Sequence, residues 1–171
     1  TGKPKPLRVE KLRMEASARI TCAFLGLKRG DTALLCMPLD YIAGKMMVVR
    51  SLVCGLRLTA VEPSGHPLRG LKEAPVFAAM VPMQVEESMK SESEKQRFGY
   101  IRHLIIGGAP VSVALEERLK KIPTQCYATY GMTETVSHIA LKKLNSDPAY
   151  FALGEVGFEQ DERGCLIIDA P

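Results

Sequence analysis

Several signatures that would quickly assign a 171-residue chain are missing from this one. No apolar run approaches the roughly 20 residues of a membrane span, and the charged start has no short hydrophobic core of a secretory signal. The expectation is a cytoplasmic protein with no membrane partner. The five cysteines, Cys22, Cys36, Cys54, Cys126 and Cys165, form no C-x-x-C pair, which points to reduced, buried thiols rather than a metal or disulfide framework. The three histidines, His66, His103 and His138, are scattered, too sparse for a zinc site; His66 and His103 read as structural or surface residues. Neither G-x-x-x-x-G-K-[ST] nor G-x-S-x-G occurs, so a P-loop NTPase and an α/β-hydrolase elbow are both unsupported. Charge of one sign is lacking as well. The net charge is +4, with acids and bases interleaved and no basic run set among aromatics, which argues against nucleic acid as a partner.

What is present suits one folded core: 46% of the residues are apolar, in the range of globular domains. Leu12, Ala16, Ile20 and Ala23 or Phe24 recur at three- to four-residue steps before Gly26, which predicts an amphipathic helix with that stripe inward and a glycine C-cap. "TALLCMP" and "PVFAAMV" are short, almost wholly apolar runs, the pattern of strands buried on both faces of a parallel sheet. Between them, Ile42 to Cys54 reads as a buried helix stopped by Gly55, "LRLTAVE" as a strand and "PSGHPLRGLKE" as a loop. Pro82 can open the helix "MQVEESM". "KSESEKQRFG" reads as a solvated linker. "IRHLIIGG" is a strand, Ser112 an N-cap for the helix that follows, and "TQCYATYG" another strand. Alternating strands and helices give an α/β class with a largely parallel sheet and flanking helices.

Open α/β sheets bind ligands beyond the carboxyl ends of their strands. Glycine-bearing polar segments stand at such ends in "PLDYIAG", "GGAP" and "YGMTE". In the last, Glu134 is a hard oxygen ligand suited to Mg²⁺, Thr133 a hydroxyl able to meet a phosphate oxygen, and Tyr130 a flat face. The plainer reading of "YGMTE" is a capped helix start. "TGKPKP" supplies a hydroxyl, a free backbone and two ammonium groups, enough to wrap a polyphosphate, although such a stretch at a chain end is more often frayed.

In order, "TGKPK", "PLDYIAG", "GGAPVS", "YGMTE" and "LGEVG" resemble the successive core motifs of the adenylate-forming superfamily, and the resemblance covers essentially the whole chain. It implies a fold that is part of that family's large N-terminal domain. It also implies ATP-dependent activation of a carboxylate as an acyl-adenylate, then thioester formation with CoA. On the matching positions, Thr1, Gly2, Lys3 and Lys5 would belong to the phosphate loop. Gly108, Ala109 and Pro110 would lie along the adenine, with Tyr130 against its face and Gly131 in the same nucleotide site. Thr133 would hold the α-phosphate and Glu134 the Mg²⁺.

"MPLDYIAGKMMVVRSL" and "YGMTETVSHIAL" look most like the branch that activates o-succinylbenzoate, an aromatic carboxylate of menaquinone biosynthesis. Tyr41, Thr135, Ser137 and His138 are then the expected acyl contacts. Tyr41 stands where many relatives carry histidine, and Pro6 where they carry glycine. The resemblance further implies a partial domain over residues 1–171 that starts inside the phosphate loop, with the small C-terminal domain outside it. Such a piece is expected to be inactive alone; relatives are often homodimers. Another acyl- or aryl-CoA synthetase, an adenylation domain, and a non-catalytic nucleotide-binding module remain as alternatives.

Overall fold

A computed structural model of the protein describes residues 7–170; the expected phosphate-loop residues Thr1, Gly2, Lys3 and Lys5 lie outside them. Helix α1 (Lys11–Phe24) leads into β1 (Thr32–Leu35), followed by α2 (Ile42–Cys54) and β2 (Arg57–Ala60). Next come β3 (Phe77–Met80), α3 (Pro82–Lys90), α4 (Glu92–Phe98), β4 (His103–Ile106), α5 (Val113–Leu119) and β5 (Gln125–Gly131). The strands β6 (His138–Lys143) and β7 (Phe151–Ala152) complete a seven-stranded sheet of order β2-β1-β3-β4-β5-β6-β7. All pairings from β2 to β5 are parallel, and those of β5 with β6 and β6 with β7 are antiparallel. A separate antiparallel hairpin joins β8 (Gly157–Gln160) and β9 (Leu166–Asp169).

The expected largely parallel sheet is therefore present, and the period-2 alternation of its strands divides the core. Leu34, Ala78, Leu104, Ile106 and Cys126 face a cluster with Val85, Met89, Phe98 and Leu115, so α3, α4 and α5 cover that side. Ala33, Phe77, Ala79, Ile105 and Tyr127 face Cys22, Leu25 and Met47, so α1 and α2 cover the other. Short apolar runs suffice because both faces of each central strand are buried.

Two readings of the chain are corrected here. The inward stripe of α1 is Ala18, Thr21 and Cys22, whereas Leu12 is 75% exposed and Phe24 is half exposed, its ring meeting Tyr127 edge-on at 5.6 Å between centroids. Small and polar residues can occupy a tight helix contact, and Thr21 does so because its hydroxyl donates to the Ser17 carbonyl at 2.9 Å. The supposed linker contains α4. Glu94 is 0% and Phe98 1% exposed; Phe98 packs in the core. The Glu94 carboxylate accepts from Ser88 Oγ at 3.2 Å and pairs with His66 Nδ1 at 2.9 Å, so the loop histidine anchors to a buried acid. Glu92 and Glu94 in the first turn and Lys95 and Arg97 in the last also suit the helix dipole. A charge-rich segment is thus held by one aromatic and one fully paired carboxylate.

The thiols are free, and burial pushes those of Cys22, Cys36 and Cys126 up to about 12. Cys54 is only half buried, and Cys165, on the hairpin, is exposed rather than buried. No helix among the described residues is long and apolar enough to cross a membrane.

Candidate functional site

The strand order makes the connections diverge between β1 and β3, and a crevice runs from there along the carboxyl ends of β3, β4 and β5 on the face covered by α2. A cavity of about 220 Å³ lies there. Ala79, Ile105 and Thr129 form its sheet wall, Met46 and Arg50 reach it from α2, and Val136 closes it from the loop after β5. Behind that wall the buried Gln84 amide joins three segments: it donates to the carbonyls of Cys36 at 3.0 Å and Ser64 at 2.9 Å, and accepts from Val81 N–H at 3.2 Å. The strand ends that shape the cavity are therefore fixed by backbone contacts at three points.

Two glycines are demanded by this architecture. Gly108 has φ +80°, a left-handed conformation that carries the chain off β4 along the cavity rim. A Cβ on Gly131 would strike the Ser137 carbonyl and the His138 Cα, so the β5–β6 junction closes only around glycine.

Arg50 dominates the electrostatics. It is 2% exposed and lines the cavity with a guanidinium that makes no ion pair among the described residues. Nη2 donates to Ser137 Oγ at 2.6 Å, Nη1 reaches only the Met47 sulfur at 3.9 Å, and Nε has no partner. Desolvation pulls its pKa down from 12.5 to about 10, so it is still a cation at neutral pH. Ser137 Oγ lies 3.3 Å from His138 Nδ1, and His138 Nε2 lies 3.1 Å from Thr21 Oγ1. Because the Thr21 proton is committed to Ser17, Nε2 must carry the imidazole proton, and Nδ1 accepts from the Ser137 hydroxyl. The chain Arg50, Ser137, His138, Thr21, Ser17 is then satisfied in one direction, with His138 neutral. A buried cation with no ion pair among the described residues favours an anion at that part of the cavity wall.

Of the residues singled out from the sequence, Thr133, Ser137, His138, Gly108 and Gly131 line this one cavity. Ala109 and Pro110 continue the rim as exposed residues. Tyr130 stands outside the lining, its ring against Tyr150 at 6.3 Å between centroids. Glu134 is exposed on the loop beside Thr133. The Thr135 hydroxyl is turned into its own loop, within hydrogen-bond reach of the Ser137 carbonyl at 2.8 Å and the Met132 carbonyl at 3.0 Å, and it accepts from Met132 N–H at 3.0 Å. Tyr41 precedes α2 and is 68% exposed, also outside the lining. Residues 132 to 137 form turns, so the plainer reading of "YGMTE" as a helix start is not what the chain does.

The comparison with known families is decisive: residues 1–170 match the family described as AMP-binding enzyme. The chain belongs to the AMP-binding enzyme family. A crystal structure of an acyl-CoA synthetase (AMP-forming)/AMP-acid ligase II-like protein from Dyadobacter fermentans is 41% identical, with a TM-score of 0.89 over 98% of this chain and 49% of that one. The 2-succinylbenzoate–CoA ligase of Bacillus licheniformis is 29% identical over 82% of this chain and 30% of its own length. The o-succinylbenzoate coenzyme A synthetase of Bacillus subtilis in complex with ATP and magnesium ion shares the fold, with a TM-score of 0.79 and 21% identity over 98% of this chain and 36% of that one. The chain thus spans about a third of the length of these ligases and about half of the Dyadobacter protein.

In this AMP-binding family member the charged network makes a pH prediction. Burial first, and the Arg50 charge second, hold the His138 pKa well below its ordinary 6.5. The unfolded chain therefore takes up the proton first as pH falls. The stability involved is fully present above about pH 6.5 and is lost below it, by up to about 1.4 kcal/mol per pH unit for one such proton. Melting temperatures should be level from pH 8 to 7 and decline toward pH 5, and His138→Gln should flatten the decline. His103, lowered mainly by burial, acts with the same sign and leaves a residual slope. A slope identical in the variant would remove His138 from this role.

Proposed function

We propose that the chain is part of the N-terminal nucleotide- and acyl-binding domain of a cytoplasmic AMP-forming acid–thiol ligase. In this reading a substrate carboxylate attacks the α-phosphorus of ATP, the bond to pyrophosphate breaks, and the thiol of CoA then displaces AMP from the acyl-adenylate. Such chemistry needs positioning and charge neutralisation more than a protein nucleophile, and this chain offers a rim of backbone and hydroxyl groups rather than a triad. Gly108, Ala109 and Pro110 would run along the adenine, with Tyr130 and Gly131 at its other side, and Thr133 would hold the α-phosphate. Thr1, Gly2, Lys3 and Lys5 would wrap the outgoing phosphates.

Glu134 fits a Mg²⁺ ligand. Its carboxylate is exposed, makes no hydrogen bond or ion pair among the described residues, and adjoins Thr133. No group of three or more His, Cys, Asp or Glu side chains able to hold a metal occurs among the described residues, so Glu134 would share the ion with the ATP phosphates, as is usual for Mg²⁺. A bound Mg²⁺ would offset the phosphate charge.

The observation that carries the finer reading is Arg50. A buried guanidinium with an unpartnered Nε in an apolar cavity suits an aromatic acid with a second carboxylate that does not react, received by Arg50 with Ser137 and His138 alongside. That chemistry matches o-succinylbenzoate, in agreement with the names of the Bacillus relatives. One fact favours a second reading, an acyl-CoA synthetase for another acid: the more similar Dyadobacter protein carries only the broader name. ATP–pyrophosphate exchange by the full-length protein, run over a panel of carboxylic acids, tests both. Exchange dependent on a carboxylic acid is expected, strongest with aromatic dicarboxylates. Nucleotide binding with no exchange for any acid would instead make the chain a non-catalytic module.

A further inference from the structure

Val136 is the backbone anomaly of the site. Its φ of +68° is left-handed, and it is the one non-glycine residue with positive φ among the described residues. A β-branched side chain is poorly suited to that region, at a cost of order 1–3 kcal/mol that persists only where the surroundings impose it. Here they do. Val136 N–H donates to the Thr133 carbonyl at 3.0 Å, and Ser137 N–H to the Thr135 carbonyl at 2.7 Å. The Thr135 hydroxyl and the Arg50 contact to Ser137 hold the flanks. The side chain is 2% exposed and packs with Ala18 and Met46, both fully buried.

Beyond Val136 lies a second, mainly apolar chamber of about 40 Å³, walled by Ile20, Ile139, Leu153 and Val156, with Arg13, Ser17 and Thr135 also on its lining. Val136 and His138 line both chambers, so they form the wall between them. His138 is fixed there by its hydrogen bonds to Ser137 and Thr21, whereas the Val136 isopropyl group is held only by packing and by its strained backbone.

We propose that Val136 is the partition that sets the depth of the acyl cavity, so that truncating it joins the two chambers and admits acids carrying an apolar chain beyond the ring. The proposal rests on the reading of this cavity as the acyl site. Each methylene accommodated or refused by a hydrophobic pocket is worth roughly 10- to 200-fold in discrimination.

The test uses the full-length protein with Val136→Ala, Val136→Gly and Val136→Ile, and a series of benzoic acids with para-alkyl chains of increasing length. Two readings are taken: carboxylate-dependent ATP–pyrophosphate exchange, and calorimetric binding of the same acids without nucleotide. The Ala and Gly variants are expected to gain about 10-fold or more for the longer acids relative to benzoate in both readings, while Ile moves the other way. Glycine accepts φ +68° freely, so Val136→Gly should melt no lower than Val136→Ala, which keeps a folded variant available. Unchanged chain-length preference in Ala and Gly, with wild-type exchange intact, overturns the partition alone. Wild-type protein inactive with every acid overturns the ligase reading, and the binding series then decides the partition by the same shift or its absence.

Discussion

Arg50→Met is expected to stabilise the ligand-free protein and to damage its use of a doubly charged substrate. The guanidinium is buried, its Nε is unpartnered, and its best contact is one serine hydroxyl. Replacing a buried charge by an apolar side chain of similar length removes a desolvation penalty, and comparable replacements are neutral or stabilising by about 1–4 kcal/mol. The same change removes the only Lys or Arg among the described residues on the cavity wall. Losing one partner of a buried, hydrogen-bonded charge pair typically costs about 2–5 kcal/mol, so kcat/KM for an aromatic dicarboxylate should fall roughly 10²- to 10³-fold. A monocarboxylate analogue should be affected little or even favoured. Chemical denaturation and exchange kinetics on the same variant read the two effects separately. A destabilised variant with unaltered substrate preference would make Arg50 a structural residue.

Glu134→Gln is expected to lower kcat/KM for adenylation by roughly 10²-fold or more, the usual scale for removing a group that stabilises charge developing in the transition state. The substitution leaves the side chain nearly isosteric, and Glu134 is exposed without a hydrogen bond or ion pair among the described residues. Folding should therefore be unaffected, with the melting temperature within about a degree or two of wild type. The defect should shrink as the Mg²⁺ concentration is raised, because the loss lies in holding the ion. Unchanged kcat/KM across a Mg²⁺ titration would take Glu134 out of the metal site.

The scaffold was legible where the chain speaks through local chemistry. The apolar runs "TALLCMP" and "PVFAAMV" became β1 and β3, Gly55 in the left-handed conformation stopped α2, and Ser112 capped α5 through a hydrogen bond from Leu115 N–H at 3.2 Å. Gly108, Gly131, Thr133, Ser137 and His138, expected near one another from the motif resemblance, line one cavity. What escaped was whatever depends on a distant partner. Nothing local in "KSESEKQRFG" shows that Glu94 will meet His66 and Ser88. The antiparallel end strands follow a turn with Val136 in the left-handed conformation, which its side chain argues against.

Arg50 is the instructive miss. Its signal was present in the spacing: Met46 and Arg50 are one turn apart on the same face, and both are buried. A lone cation on the inward face of an otherwise apolar helix calls for an anion from elsewhere. Tyr41, an expected acyl contact at the position where many relatives carry histidine, stands exposed just before the same helix.

The most direct measurement is ATP–pyrophosphate exchange by the full-length protein with o-succinylbenzoate and with the matching acid that lacks the second carboxylate, in wild type and Arg50→Met. Wild type should prefer the dicarboxylate by 10²-fold or more, and the variant should lose most of that preference while still forming an adenylate from the monoacid. Equal use of both acids by wild type, or a preference that survives loss of Arg50, would contradict the assignment of this cavity to an anionic acyl substrate.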